Sequence, residues 1–150
     1  MDRFEEVLKE LGRIINVPLH PDKNRLCRLN VNNVLHVQLE SDESKERILI
    51  ATFICDVPAG KFRENILKEA LKANYPYPRI GTLAYSERNN KLTLFEYVPY
   101  PNLKVEKLAD LFADFLARAD SWRVAIERGQ TAPQAETTTK PDRSIFGIKT

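Results

Sequence analysis

Residues 65–99 read NILKEALKANYPYPRIGTLAYSERNNKLTLFEYVP, and the order of patterns in them decides the fold class. Ile66, Leu67, Ala70 and Leu71 recur at helical spacing and, with Phe62 upstream, predict a helix of about four turns. It must end before Pro76 and Pro78, because proline offers no backbone donor and restricts the residue before it. Residues 80–86 and 91–98 then flank Glu87-Arg88-Asn89-Asn90, where asparagine tolerates the conformations of a tight turn, so a hairpin follows the helix. Leu92 and Leu94 point to one face of it, Phe95 and Tyr97 to the other. The stretch carries no catalytic constellation, yet it offers more apolar faces than one small domain needs. Such surplus suggests a chain whose work is binding other protein chains.

Towards the N-terminus the same reasoning extends the pattern. Phe4, Val7, Leu8, Leu11 and Ile15 mark an amphipathic first helix, with Glu5, Glu6, Lys9 and Glu10 opposite, and Pro18 stops it. Two short runs, 25–32 and 34–41, flank Asn32-Asn33 and predict a second hairpin. Cys27, Leu29 and Val31 with Leu35, Val37 and Leu39 give clean apolar faces, whereas Arg28, Asn30, His36 and Gln38 mix polarity into the other. The run RILIATFICDV at 47–57 is a third strand that is apolar on both sides: Leu49, Ala51, Phe53 and Cys55 on one, Ile48, Ile50 and Ile54 on the other. Two readings of it stay open, a core strand covered on both faces or a strand partly exposed to a bound guest.

Towards the C-terminus, Val105, Leu108, Leu111, Phe112, Phe115, Leu116, Ala119, Trp122 and Ile126 trace a long third helix that closes the core, with Trp122 as a core anchor. Residues 1–128 form one domain on this reading. Residues 129–150 are poor in apolar side chains and rich in Thr, Pro and Gln, which predicts a flexible tail. Its last apolar patch, Ile145-Phe146-Gly147-Ile148, reads either as an unstructured end or as a short docking element. Helix, three strands, helix, two strands, helix is an α+β layout, a twisted antiparallel sheet with helices packed mainly on one face.

Composition narrows the function. A chain of 150 residues with 43% hydrophobic content supports one core, and 23 Lys plus Arg against 21 Asp plus Glu give no bias towards nucleic acid. No apolar run approaches the roughly 20 residues that span a bilayer, and the acidic, amphipathic start is unlike a secretory leader, so the chain reads as cytosolic and uncleaved. Cys27 and Cys55 lie in strands outside any CxxC pair; with one strand between theirs they stand about 9–10 Å apart, beyond disulfide reach, and read as small buried hydrophobes. His36 has no second ligand at metal-binding spacing, and His20 sits in a loop. Nothing resembles GxSxG, a phosphate loop or HExxH, which argues against an enzyme.

At this point a family resemblance carries more. Leu26-Cys27-Arg28-Leu29 leading to Val34-Leu35-His36-Val37, the helix ending Leu71-Lys72-Ala73-Asn74, then Gly81-Thr82-Leu83-Ala84, Lys91-Leu92-Thr93-Leu94 and the stretch from Phe115 to Trp122-Arg123 appear in order. Together they resemble the class I chaperones of bacterial type III secretion, the Tir-chaperone or SycE-like family, over roughly residues 4–128. The resemblance implies a homodimer in the bacterial cytoplasm that holds the N-terminal chaperone-binding segment of secreted effectors extended and export-competent. It implies no nucleotide, metal or other cofactor, and it leaves open a contact with the export ATPase. Dimer contacts would fall on Ile66, Leu67, Ala70, Leu71, Ala73, Leu83 and Tyr85. Effector contacts would fall on Leu26, Val34, His36, Ile48, Ile50 and Ile54, with Phe4 and Leu8 on the first helix. The rival is a regulatory or sensory domain of the same fold that binds a folded partner or small ligand.

Overall fold

The structure is a computed structural model that describes residues 2–134. The expected tail from residue 135 onward, including residues 145–148, lies outside the described residues. The elements are α1 (Arg3–Ile15), β1 (Leu26–Val31), β2 (Leu35–Asp42), β3 (Arg47–Asp56), α2 (Lys61–Ala73), β4 (Thr82–Ser86), β5 (Lys91–Pro99) and α3 (Val105–Glu127), with one 3-10 turn at Glu43–Lys45. All five strands pair antiparallel in a single sheet of order β1-β2-β3-β5-β4. This is the predicted α+β arrangement.

Local chemistry sets the ends of these elements. Asp2 caps α1 by accepting the Glu5 N–H at 2.9 Å, and Asn16 closes it in the left-handed region at φ 61°. The chain then doubles back so tightly that a Cβ on Gly12 would stand 2.6 Å from the Val17 carbonyl oxygen. Only glycine fits there. Asn32 and Asn33 both adopt positive φ in the β1–β2 turn, as the sequence required, and Asn90 does so in the β4–β5 turn.

One face of the sheet is sealed by α1 and α3. Phe4, Leu8 and Leu11 from α1 and Phe112, Phe115, Leu116 and Trp122 from α3 join Val37, Leu39, Ile48, Ile50 and Leu94 in one buried cluster. The two-sided third strand is thereby resolved: Ile48, Ile50 and Ile54 face the helices, while Leu49, Ala51 and Phe53 take the other side. Cys55 departs from the expected alternation. A register shift between Phe53 and Cys55 brings Cys55 opposite fully buried Leu92, so its side chain packs with the core rather than with Phe53. Both cysteines are free thiols.

Candidate functional site

The face opposite α1 and α3 is the candidate site, and strand register determines what it displays. Because partners in a ladder share a face, the pairs Arg28–Gln38, Gln38–Ala51, Ala51–Phe95 and Phe95–Thr82 form one row across all five strands. Leu26, Glu40, Leu49 and Tyr97 form the next row. The face is divided in two: polar on β1 and β2, apolar and aromatic on β3 and β5. Phe53 remains 47% exposed and Tyr97 41% exposed, far more than side chains of that size keep inside a finished core. Phe95 and Tyr97 meet edge to face at 5.9 Å, and the Arg47 guanidinium covers the Tyr97 ring at 3.6 Å while its Nε donates to Asp42 at 2.8 Å. That donation and one from Ser44 hold the Asp42 carboxyl below its ordinary range.

The residues expected to touch a guest divide along the same line. His36 and Val34 are exposed, and Leu26 is half-buried at the start of β1. Phe4, Leu8, Ile48, Ile50 and Ile54 are between 0% and 3% exposed inside the helix-covered core. Side chains with no free area offer nothing to a guest unless the domain opens; the apolar side chains that the sheet leaves at least partly exposed on its other face include Leu49, Ala51, Phe53, Phe95 and Tyr97. The signal for this was in the sequence. Arg28, His36 and Gln38 marked the solvent side of the first two strands, and Ala51 shares that side once Gln38 is paired with it.

The two sheet edges differ. At β1 the Leu26 N–H donates to the Asp22 carboxylate at 3.1 Å and its carbonyl accepts the Asp22 N–H at 2.8 Å, so both groups point outward. The period of two then turns the N–H and C=O of Arg28 and Asn30 outward as well, and no backbone group among the described residues pairs with them. At β4 the outward groups of Leu83 are taken: its N–H donates to Asn74 Oδ1 at 2.9 Å, and its carbonyl accepts Asn74 Nδ2 at 2.8 Å. Arg118 from α3 donates to the carbonyls of Ile80 and Gly81 at 2.6 and 3.0 Å.

Helix α2 lies along this second edge and buries only Ile66 and Ala70 fully. Polar ties at its two ends hold it. Arg63 donates to Asn90 Oδ1 at 2.8 Å and to the Val57 carbonyl at 3.2 Å, and Arg118 reaches the Ala73 carbonyl at 3.3 Å. Of the residues expected at a dimer seam, Ile66, Ala70 and Leu83 are buried within the chain, Leu67, Ala73 and Tyr85 are half-buried, and Leu71 is 73% exposed. Tyr75 and Tyr77, just beyond α2, are 89% and 84% exposed.

At the far end of the sheet an ionic cluster fixes α1 to β1. Arg25 pairs with Asp2, with Glu43 at 2.8 Å and with Glu5 at 3.5 Å, and its guanidinium sits 5.4 Å from the Phe4 ring centre. The charges there are structural. Among the described residues no group of His, Cys, Asp and Glu could hold a metal, and no helix is long and apolar enough to cross a membrane.

Among the described residues this two-layer α+β domain leaves one sheet face uncovered and one sheet edge unpaired. The chain belongs to the Tir chaperone protein (CesT) family, whose profile matches residues 6–123. By family it is a secretion chaperone and not an enzyme. No curated protein sequence matches it. Among solved structures, a chain of the ExsC–ExsE complex is 20% identical with a TM-score of 0.67, and the alignment covers 91% of this chain and all (100%) of that one. A chain of the HopA1–SchA chaperone–effector complex is 21% identical with a TM-score of 0.63, covering 82% of this chain and 94% of that one. The Yersinia pestis type III secretion chaperone SycH, solved with a fragment of YscM2, gives 13% identity and a TM-score of 0.63 over 77% of this chain and 96% of the matched one. These likenesses concern the fold.

Proposed function

We propose that this chain serves type III secretion in the bacterial cytoplasm: as a homodimer it binds the N-terminal segment of secreted effector proteins, keeping that segment extended, soluble and ready for export. Residues 1–128 supply the binding domain. The observation that carries the reading is the aromatic face formed by Leu49, Ala51, Phe53, Phe95 and Tyr97, which no element among the described residues covers while α1 and α3 seal the opposite side. An extended segment lying there exchanges its apolar side chains from water onto these rings, and the outward N–H and C=O groups of Arg28 and Asn30 complete its backbone hydrogen bonds where it reaches the β1 edge. The half-exposed apolar side of α2, with Leu67, Leu71 and Ala73, is the seam for the second copy.

The test is co-expression with N-terminal segments of candidate secreted proteins, then affinity capture and mass spectrometry. The expected result is co-purification of one or more such segments in unfolded form with the wild-type chain. Phe53→Asp should lose them while remaining folded. Capture of only folded partners, or none, would favour the rival regulatory role.

A further inference from the structure

The open face contains a depression of about 440 Å³ that the aromatic patch does not explain. Its walls include Arg28, Asn30, His36 and Gln38 on one side and Phe53 and Thr93 on the other. It arises where two strands part. The β2–β3 ladder ends at Val37–Thr52, where the Thr52 hydroxyl donates to the His36 carbonyl at 2.9 Å. Just beyond, β3 carries a register shift against β5 after Phe53, and His36, Phe53 and the small side chain of Ala51 all line the depression.

The chemistry of the walls is one-sided. Arg28 and His36 bring basic groups, Asn30 and Gln38 bring amides, and among the described residues no aspartate or glutamate lines the depression. Among the described residues Arg28 makes no ion pair and no side-chain hydrogen bond. Its charge favours ionised Asp22, but Asp22 Oδ1 already accepts the N–H groups of Asn24 and Leu26. Thr93 adds a hydroxyl oxygen that is buried without a hydrogen-bond partner. A cavity that sets a guanidinium and an imidazole, without a carboxylate among the described residues, beside an aromatic ring is complementary to an anionic acceptor on an apolar stem.

We propose that this depression is the acceptor for a carboxylate-bearing side chain, Asp or Glu, of an extended segment crossing the sheet face, with Arg28 and His36 holding the carboxylate beside the Phe53 ring. The proposal rests on the effector-binding reading and adds to it a recognition rule: one acidic residue among apolar ones. Arg28 would supply a charge-assisted hydrogen bond, which is stronger than a neutral one.

The test uses short fluorescein-labelled peptides of alternating valine and serine with a central Glu, Gln or Lys, titrated with the full-length chain by fluorescence anisotropy. The Glu peptide should bind about tenfold more tightly than the Lys peptide, a difference that corresponds to roughly 1.4 kcal/mol, and the preference should shrink as salt is added. Arg28→Glu should invert the order. Ala51→Met, which fills the depression without changing charge, should bring the Glu and Lys peptides to equal affinity; a melting curve of each variant checks that it is folded. Equal affinity for the Glu and Lys peptides, or a preference that both variants leave intact, overturns the acceptor and leaves the chaperone reading standing. If no peptide binds and co-expression also captures nothing, both readings fall together.

Discussion

Asn74 occupies the place of a missing strand. Its backbone N–H closes α2 onto the carbonyls of Ala70 and Leu71, the helix-ending role its position before Tyr75-Pro76 suggests, but its side-chain amide turns to β4 and pairs with both groups of Leu83. Asn74→Ala leaves that buried N–H and C=O without partners and should cost about 1–3 kcal/mol in urea unfolding. Asn74→Asp can still accept the N–H but sets a carboxylate against the Leu83 carbonyl, so it should rescue little. A sequence cannot announce this pairing, because it depends on where the chain returns nine residues later, whereas the paired asparagines at 32 and 33 were legible as a turn from composition alone. A second prediction at this scale concerns Cys55, whose thiol burial pushes up to about 11 from an ordinary value of 9.0, with Asp56 and Glu127 adding to it. A raised thiol means that the folded chain holds the proton longer than the unfolded one. The stabilisation is therefore complete below pH 9 and is lost as pH climbs towards 11. Cys55→Ala should flatten the fall in melting temperature across that window, and wild-type Cys55 should alkylate slowly at pH 8 in native protein.

Strand β3 shows how one element separates stability from binding. Ile50 is fully buried beneath the helices, so Ile50→Asp places an unpaired carboxylate in the core, costs several kcal/mol and should yield insoluble protein. Phe53, three residues on and nearly half exposed, should accept aspartate with little change in melting temperature yet lose the captured segment. Comparing the two by thermal melt and co-purification distinguishes a core residue from a contact residue. The strand itself was plain from its β-branched run, and its two apolar faces were read correctly as far as Phe53. Which face met the helices needed the register: the short connection at 43–46 pairs Asp42 with Arg47, and counting back from it brings Leu39 opposite Ile50. The shift that moves Cys55 to the other side leaves no mark in composition, since it answers to the twist of β3 against β5.

For the whole molecule, the energetics favour two binding faces over one. Ordering a segment of about ten residues costs roughly 10–20 kcal/mol of backbone entropy, which at about 25 cal/mol per Å² calls for some 400–800 Å² of apolar contact. A dimer doubles the supply. Light scattering at micromolar concentration should therefore give twice the chain mass of 17.3 kDa, and Leu71→Glu, placing a charge at the most exposed apolar position of α2, should shift the population to monomer without unfolding it. Layer order and helix count were readable in advance because hydrophobic periodicity reports on them directly. The partition of surplus apolar residues between core and surface was not, because it follows from three-strand pairing. The inequality of the two sheet margins has a further consequence. A protein that displays an unpaired strand risks nucleating fibres, since each added copy can offer its own bare margin to the next. Among the described residues the margin at Arg28 and Asn30 is bare, while on the opposite one Asn74 takes both groups of Leu83 and Arg118 the carbonyls of Ile80 and Gly81, an asymmetry that works against head-to-tail polymerisation through the two margins.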